Sequence, residues 1–179
     1  EIDDVDAETF TYTDSGLIDD TKYWYRVRGY VDTGSGLEFS STSNKASGNT
    51  ILAAPTDAAV AVTNGEQVTV TWQDNSSNET AYVVQANIAG QTDGYVEVAN
   101  LAANSTSVTF DQWFPHSTTT FRVIAANGAT ESAFAQTSPV TIVPTPPEMD
   151  GISSIGTSAL TVNFKNLPGL SNVQLQRKT

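Results

Sequence analysis

At 179 residues the chain can hold one large domain or two modules of about 90 residues each, and so a sizeable core. Eight Lys and Arg against twenty Asp and Glu leave a net charge of −12, which sets phosphate backbones and anionic headgroups aside: no nucleic acid partner and no membrane insertion are expected. There is no Cys, which excludes disulfides and thiolate metal sites and leaves packing to hold the fold.

The first residues, Glu1-Ile2-Asp3-Asp4, lack the basic and apolar regions of a signal peptide, and the chain reads as a mature or truncated soluble segment. Asp3, Asp4 and Asp6, with Glu8, Asp14, Asp19 and Asp20 nearby, offer carboxylate oxygens to calcium. No loop sets ligands at alternate positions around a central Gly, however, and alternate residues of a strand point to opposite faces. A solvated acidic face is the expectation, with Asp3, Asp4 and Asp6 as weak calcium candidates. Asp14-Ser15-Gly16 marks a turn, and Leu17 and Tyr23-Trp24-Tyr25-Arg26-Val27 then predict a strand. Val31 to Leu37 is a small polar loop, and Ala53-Ala54-Pro55 is a stiff seam.

Beyond the seam, Asn64-Gly65 turns into a strand on which Val68, Val70 and Trp72 point one way and Gln67, Thr69 and Thr71 the other. The polar run Asp74 to Thr80 follows, then Tyr82-Val83-Val84, a turn at Asp93-Gly94, and Thr119-Thr120-Phe121-Arg122-Val123. Asn127 to Glu131 is again small and polar. Val143-Pro144-Thr145-Pro146-Pro147 forms a second seam, after which Leu160, Val162 and Phe164 alternate once more. With no helical stretch of ten residues, period-two alternation predicts an all-β sandwich with boundaries near 53 and 145.

The chain also repeats itself. Tyr23 to Val27 aligns with Thr119 to Val123, Leu160 to Phe164 with Val68 to Trp72, and Val173-Gln174-Leu175 with Tyr82-Val83-Val84. Residues 1–53 thus match the second half of the middle module, 54–145, and residues 146–179 match its first half. Only Ala89 to Val96, eight residues in a surface hairpin, has no counterpart, so the two flanks complete one further module.

Three motifs together resemble the fibronectin type III family over nearly the whole chain. They are Trp72 followed by Asp74-Asn75-Ser76-Ser77-Asn78-Glu79-Thr80 and Tyr82, similar to modules of secreted bacterial proteins; Leu17 with Tyr23 to Val27; and Ala54-Pro55 before the next strand. The resemblance implies tandem immunoglobulin-like β-sandwiches, with residues 1–53 as strands C′ to G of one module and residues 146–179 as strands A to C of another. It also implies a tyrosine corner at Tyr23, whose hydroxyl bonds back to upstream backbone. Trp72, Phe164, Tyr23 and Leu17 are the expected structural core. Thr119 stands where the middle module's corner tyrosine belongs, with Trp113 in place of Leu17, so that corner is expected to be rebuilt by packing and to gain from a tyrosine at 119. No Arg-Gly-Asp occurs, so the family's best-known cell-binding loop is missing.

Catalysis has little material. His116, the one histidine, lies in Phe114-Pro115-His116-Ser117 with no Cys for company, and reads as a surface turn residue; a typical zinc site is excluded. No cofactor and no enzyme are expected. Asn75, Asn78 and Asn104 begin glycosylation sequons, the first two inside a run better explained by turn chemistry. Trp113, Phe114 and Tyr95 could stack sugar rings, though aromatics in a sandwich this size are more often core. The expected function is an extracellular structural protein, secreted or at the cell surface: a spacer or fibre subunit of a larger assembly. It would associate with identical subunits or neighbouring modules, polymerising head to tail. The alternatives are an adhesive module with a carbohydrate or protein ligand, an accessory region of a larger secreted enzyme, and a window of a longer array.

Overall fold

The computed structural model describes residues 2–63, 66–113, 117–144, 146–165 and 172–178, and every described element is a strand. Glu1, Asn64-Gly65, Phe114 to His116, the boundary residue Thr145 and Thr179 lie outside the described residues. In the first segment the strands are β1 (Lys22–Tyr25), β2 (Tyr30–Asp32), β3 (Leu37–Phe39) and β4 (Ala46–Asn49). β1 pairs antiparallel with β4, and β2 with β3. Alternation sorts β1: Tyr23 and Tyr25 are half-buried, while Lys22 and Trp24 face water with the ammonium 4.6 Å from the indole centre. The turn after β2 closes as Thr33 N–H donates to Gly36 O at 3.0 Å, and Gly34 there takes φ +78°, where a Cβ would be strained.

The middle segment runs β5 (Thr56–Thr63), β6 (Gln67–Gln73), β7 (Ala81–Ile88), β8 (Tyr95–Ala102), β9 (Ser107–Phe110), β10 (Thr118–Asn127), β11 (Thr130–Gln136) and β12 (Val140–Thr141). One sheet has the order β5-β6-β9 and the other β11-β10-β7-β8, with β12 also on β10. Val68, Val70 and Trp72 of β6 meet Tyr82, Val84 and Ala86 of β7 and Phe121, Val123 and Ala125 of β10 in one core, which Leu52 and Ile142 extend. Each such burial contributes about 1.5–3 kcal/mol against about 1 kcal/mol for a hydrogen bond, so side-chain packing holds this cysteine-free sandwich. At the position that answers to Leu17, Trp113 packs edge-on to Phe110 at 4.9 Å and to Phe121 at 5.1 Å.

The last segment is a hairpin of β13 (Met149–Gly156) and β14 (Ala159–Phe164). Its pairs Gly151↔Asn163 and Ile152↔Val162 repeat, at a constant offset, the pairs Ala59↔Thr71 and Val60↔Val70 of β5–β6. Lys22↔Asn49 and Tyr23↔Gly48 of β1–β4 answer to Thr118↔Thr141 and Thr119↔Val140 of β10–β12, with a connection four residues longer between the paired strands. The flanks depart from the middle segment elsewhere. Val173 to Leu175 and residues 2–16 carry no strand, although their counterparts do. Pairing is what differs: β7, β8 and β9 hydrogen-bond to β10, β7 and β6, and Val173 to Leu175 and residues 2–16 have no such strand beside them among the described residues. For the same reason Leu17, Tyr23 and Phe164, expected in a core, are only half-buried, whereas Trp72 is enclosed.

Candidate functional site

The densest polar network lies where the first segment meets the loop between β6 and β7. That loop first closes on itself. Asp74 Oδ1 accepts from Ser76 N–H at 3.0 Å and from the Tyr82 hydroxyl, Ser76 Oγ accepts from Asn78 N–H at 3.3 Å, and Glu79 Oε1 accepts from Asn104 N–H at 2.9 Å. Burial and the bond to Asp74 both push the Tyr82 hydroxyl pKa well up, so it stays a donor.

Onto this preformed loop comes Asp19, just ahead of β1. Its Oδ2 accepts from Ala53 N–H at 3.0 Å and from Ser76 Oγ at 2.5 Å. Its Oδ1 accepts from Ser77 N–H at 3.1 Å and Ser77 Oγ at 2.7 Å. Asn78 Nδ2 returns the contact by donating to the carbonyls of Asp19 and Asp20, both at 3.3 Å. Asp20 adopts φ +43° and its Oδ2 accepts from Asn127 Nδ2 at 2.9 Å. Thr50 Oγ1 binds Thr21 N–H at 2.9 Å and Ile18 O at 2.6 Å, tying the end of β4 to the same place.

Burial alone would raise the Asp19 pKa; the hydrogen bonds from Ser76, Ala53 and Ser77 outweigh it and bring it down to about 2. So acidic a carboxyl takes up no proton near neutrality and is a poor general base. Its chemistry is that of an anchor: one anion satisfied by donors from the linker and from the adjoining loop.

The residues singled out in the sequence fall around this joint or far from it. Asn75 and Asn78 belong to it, and the amide nitrogen a glycan would need already donates, from Asn75 to Ala54 O at 3.0 Å and Thr56 Oγ1 at 3.1 Å. Asn104 is exposed on a turn at φ +62°. Asp3, Asp4 and Asp6 are exposed, Asp3 Oδ1 accepting from Asp4 N–H at 2.9 Å, and among the described residues no His, Cys, Asp and Glu group is placed to hold a metal. Tyr23 makes a corner in which its hydroxyl accepts from Ile18 N–H at 3.0 Å. Of the residues weighed as a sugar platform, Trp113 is buried, Arg122 lies 4.3 Å from the ring centre of Tyr95, and Phe114 lies outside the described residues, as does His116. From sequence Asp19 is one more residue of an acidic face and Ser76 and Ser77 are turn residues, because a contact between residues so far apart leaves no periodic signal. The short linker was the available hint.

A family model for the fibronectin type III domain matches residues 53–142. No curated protein matches the chain. Among solved structures it is similar to a computer-redesigned β-sandwich protein at 23% identity, over 51% of this chain and 95% of that one, with a TM-score of 0.44. It is also similar to a two-domain fibronectin type III segment of chicken tenascin at 16% identity, over 66% and 64% of the two chains, with a TM-score of 0.49. Domains d3–d4 of the rat CD45 extracellular region align at 13% identity over 79% and 74%, with a TM-score of 0.43.

Proposed function

This chain belongs to the fibronectin type III domain family, and from that premise we propose that it is a non-catalytic spacer of an extracellular or cell-surface assembly. In this reading the flanks are parts of further modules of the same kind, residues 1–53 preceding the middle module and residues 146–179 following it. The observation that carries the proposal is the Asp19 joint. A spacer must transmit direction from one module to the next, and a flexible linker loses it. Here the linker amide of Ala53 and the Ser76-Ser77 loop grip a single carboxylate, so the seam is part of the folded structure. The loops that a binding module would arm with aromatics stay small and polar, as at Thr33 to Gly36 and Asn127 to Thr130. Family members commonly serve as structural or adhesive spacers outside cells, which accords with this reading.

The test is the distance distribution across the joint. Spin labels on cysteines replacing Lys45 and Asp93, diluted with unlabelled chain, report distances within single molecules. A narrow distribution that broadens in Asp19→Ala supports a stiff spacer; a distribution already broad in the unaltered joint overturns it.

A further inference from the structure

We propose that the outer face of the β11-β10-β7-β8 sheet binds a carboxylated sugar, with Arg122 taking the carboxylate and Phe134 the face of the ring. The middle segment carries eight acidic side chains and a single Lys or Arg, and that one is Arg122. Phe121 and Val123 on either side of it are 0% exposed in the core, so alternation along β10 turns Arg122 outward. Register then sets Glu97, Gln85, Arg122 and Gln136 in one polar row across the four strands. The next row, about 7 Å along the strands, is apolar, with Val83, Ile124 and Phe134. Every strand of this sheet belongs to the middle module, so the face owes nothing to the flanks.

The guanidinium is held ready. Its Nε donates to Gln85 Oε1 at 2.6 Å, and its carbon lies 4.3 Å from the ring centre of Tyr95 and 5.2 Å from that of Phe134. Tyr95 is itself fixed by its hydroxyl, which donates to Gln136 Oε1 at 2.8 Å. These contacts set the plane of the fork and leave its Nη groups without a hydrogen-bonding or ionic partner among the described residues. A carboxylate meets such a fork with two parallel hydrogen bonds, and a cation already ordered loses little entropy on binding. Phe134, 51% exposed beside it, offers an apolar surface to the C–H face of a sugar ring, and the amides of Gln85 and Gln136 suit its hydroxyls. Charge narrows the ligand further. A densely charged polyanion brings its other charges against the surrounding acidic side chains, whereas a carboxylate on an otherwise uncharged sugar meets the one cation alone. An acidic peptide shares the carboxylate but has no flat ring for Phe134.

The test is an NMR titration of the full chain with a tetrasaccharide of alternating glucuronate and N-acetylglucosamine. At millimolar sugar the amide resonances of Arg122, Phe134 and Gln136 are expected to shift while those of Ala53 and Ser77 at the joint stay in place. The same tetrasaccharide with its carboxyls reduced to alcohols is expected to bind about ten-fold more weakly, and so is the unreduced sugar to Arg122→Lys, which keeps the charge and lacks the fork. Phe134→Ala, at a half-exposed position outside the core, is expected to weaken binding about five-fold with the charge unchanged. Absence of shifts around Arg122 in the unaltered chain overturns the proposal, as does equal binding of the reduced sugar, a comparison that needs no variant to fold. A peptide of Glu and Gly that binds this face as tightly as the sugar also overturns it and makes the face a site for acidic protein. The Asp19 joint takes no part in this site, so the spin-label distances decide the spacer reading separately.

Discussion

Asp19 is one of twenty acidic residues, and nothing in its own sequence neighbourhood sets it apart. Its distinction is in its donors. With those bonds made its pKa falls from the ordinary 3.8 to about 2, and because the folded value is the lower one, the joint's stabilisation is whole above about pH 4. It is lost as pH falls through about 2. The Ser77 amide resonance of the full chain is expected to titrate with a midpoint near 2, and to show no such step in Asp19→Asn; a midpoint near 4 would mean the bonds do not form. Trp72 is the complementary case, a residue whose role is all packing. It lies enclosed with its ring 5.5 Å from that of Tyr82. Trp72→Ala is expected to cost about 3–5 kcal/mol in urea unfolding, and a loss under about 1 kcal/mol would put the centre of the core elsewhere.

Among the elements, the two corners show how one position of a repeat can be solved twice. In the first segment the Tyr23 hydroxyl takes the Ile18 amide, and Tyr23→Phe should cost about 1 kcal/mol, read as roughly five-fold faster exchange of that amide. In the middle segment Thr119 is 0% exposed and its hydroxyl meets no hydrogen-bonding group of the described residues. A tyrosine at 119, which the resemblance favours, would have to fit its ring where Thr119 is already fully enclosed. Thr119→Val, which keeps the shape and removes the orphan hydroxyl, is expected to raise stability by about 1 kcal/mol in the same urea titration. Strands such as β6 were legible because Val68, Val70 and Trp72 alternate strictly over a half-buried sheet. The missing strand at Val173 to Leu175 was not, since alternation records which face is apolar and not whether a neighbour is present to pair with it.

For the whole molecule, the repeat was readable because residue types recur at fixed spacing, and the matching registers of β5–β6 and β13–β14 share that origin. The joint was hidden for the opposite reason. Its parts are a carboxylate, a backbone amide and a serine pair from three places, Asp19, Ala53 and Ser76-Ser77, that only a folded linker brings together. Yet it is the joint that separates a stiff spacer from beads on a string. The most direct measurement is amide exchange at Ala53 and Ser77 in the full chain, because both N–H groups donate to the one carboxylate. Strong protection of both, lost in Asp19→Ala while β6 and β7 stay protected, is the expected result. Fast exchange at both sites in the unaltered chain would contradict a locked joint and with it the spacer.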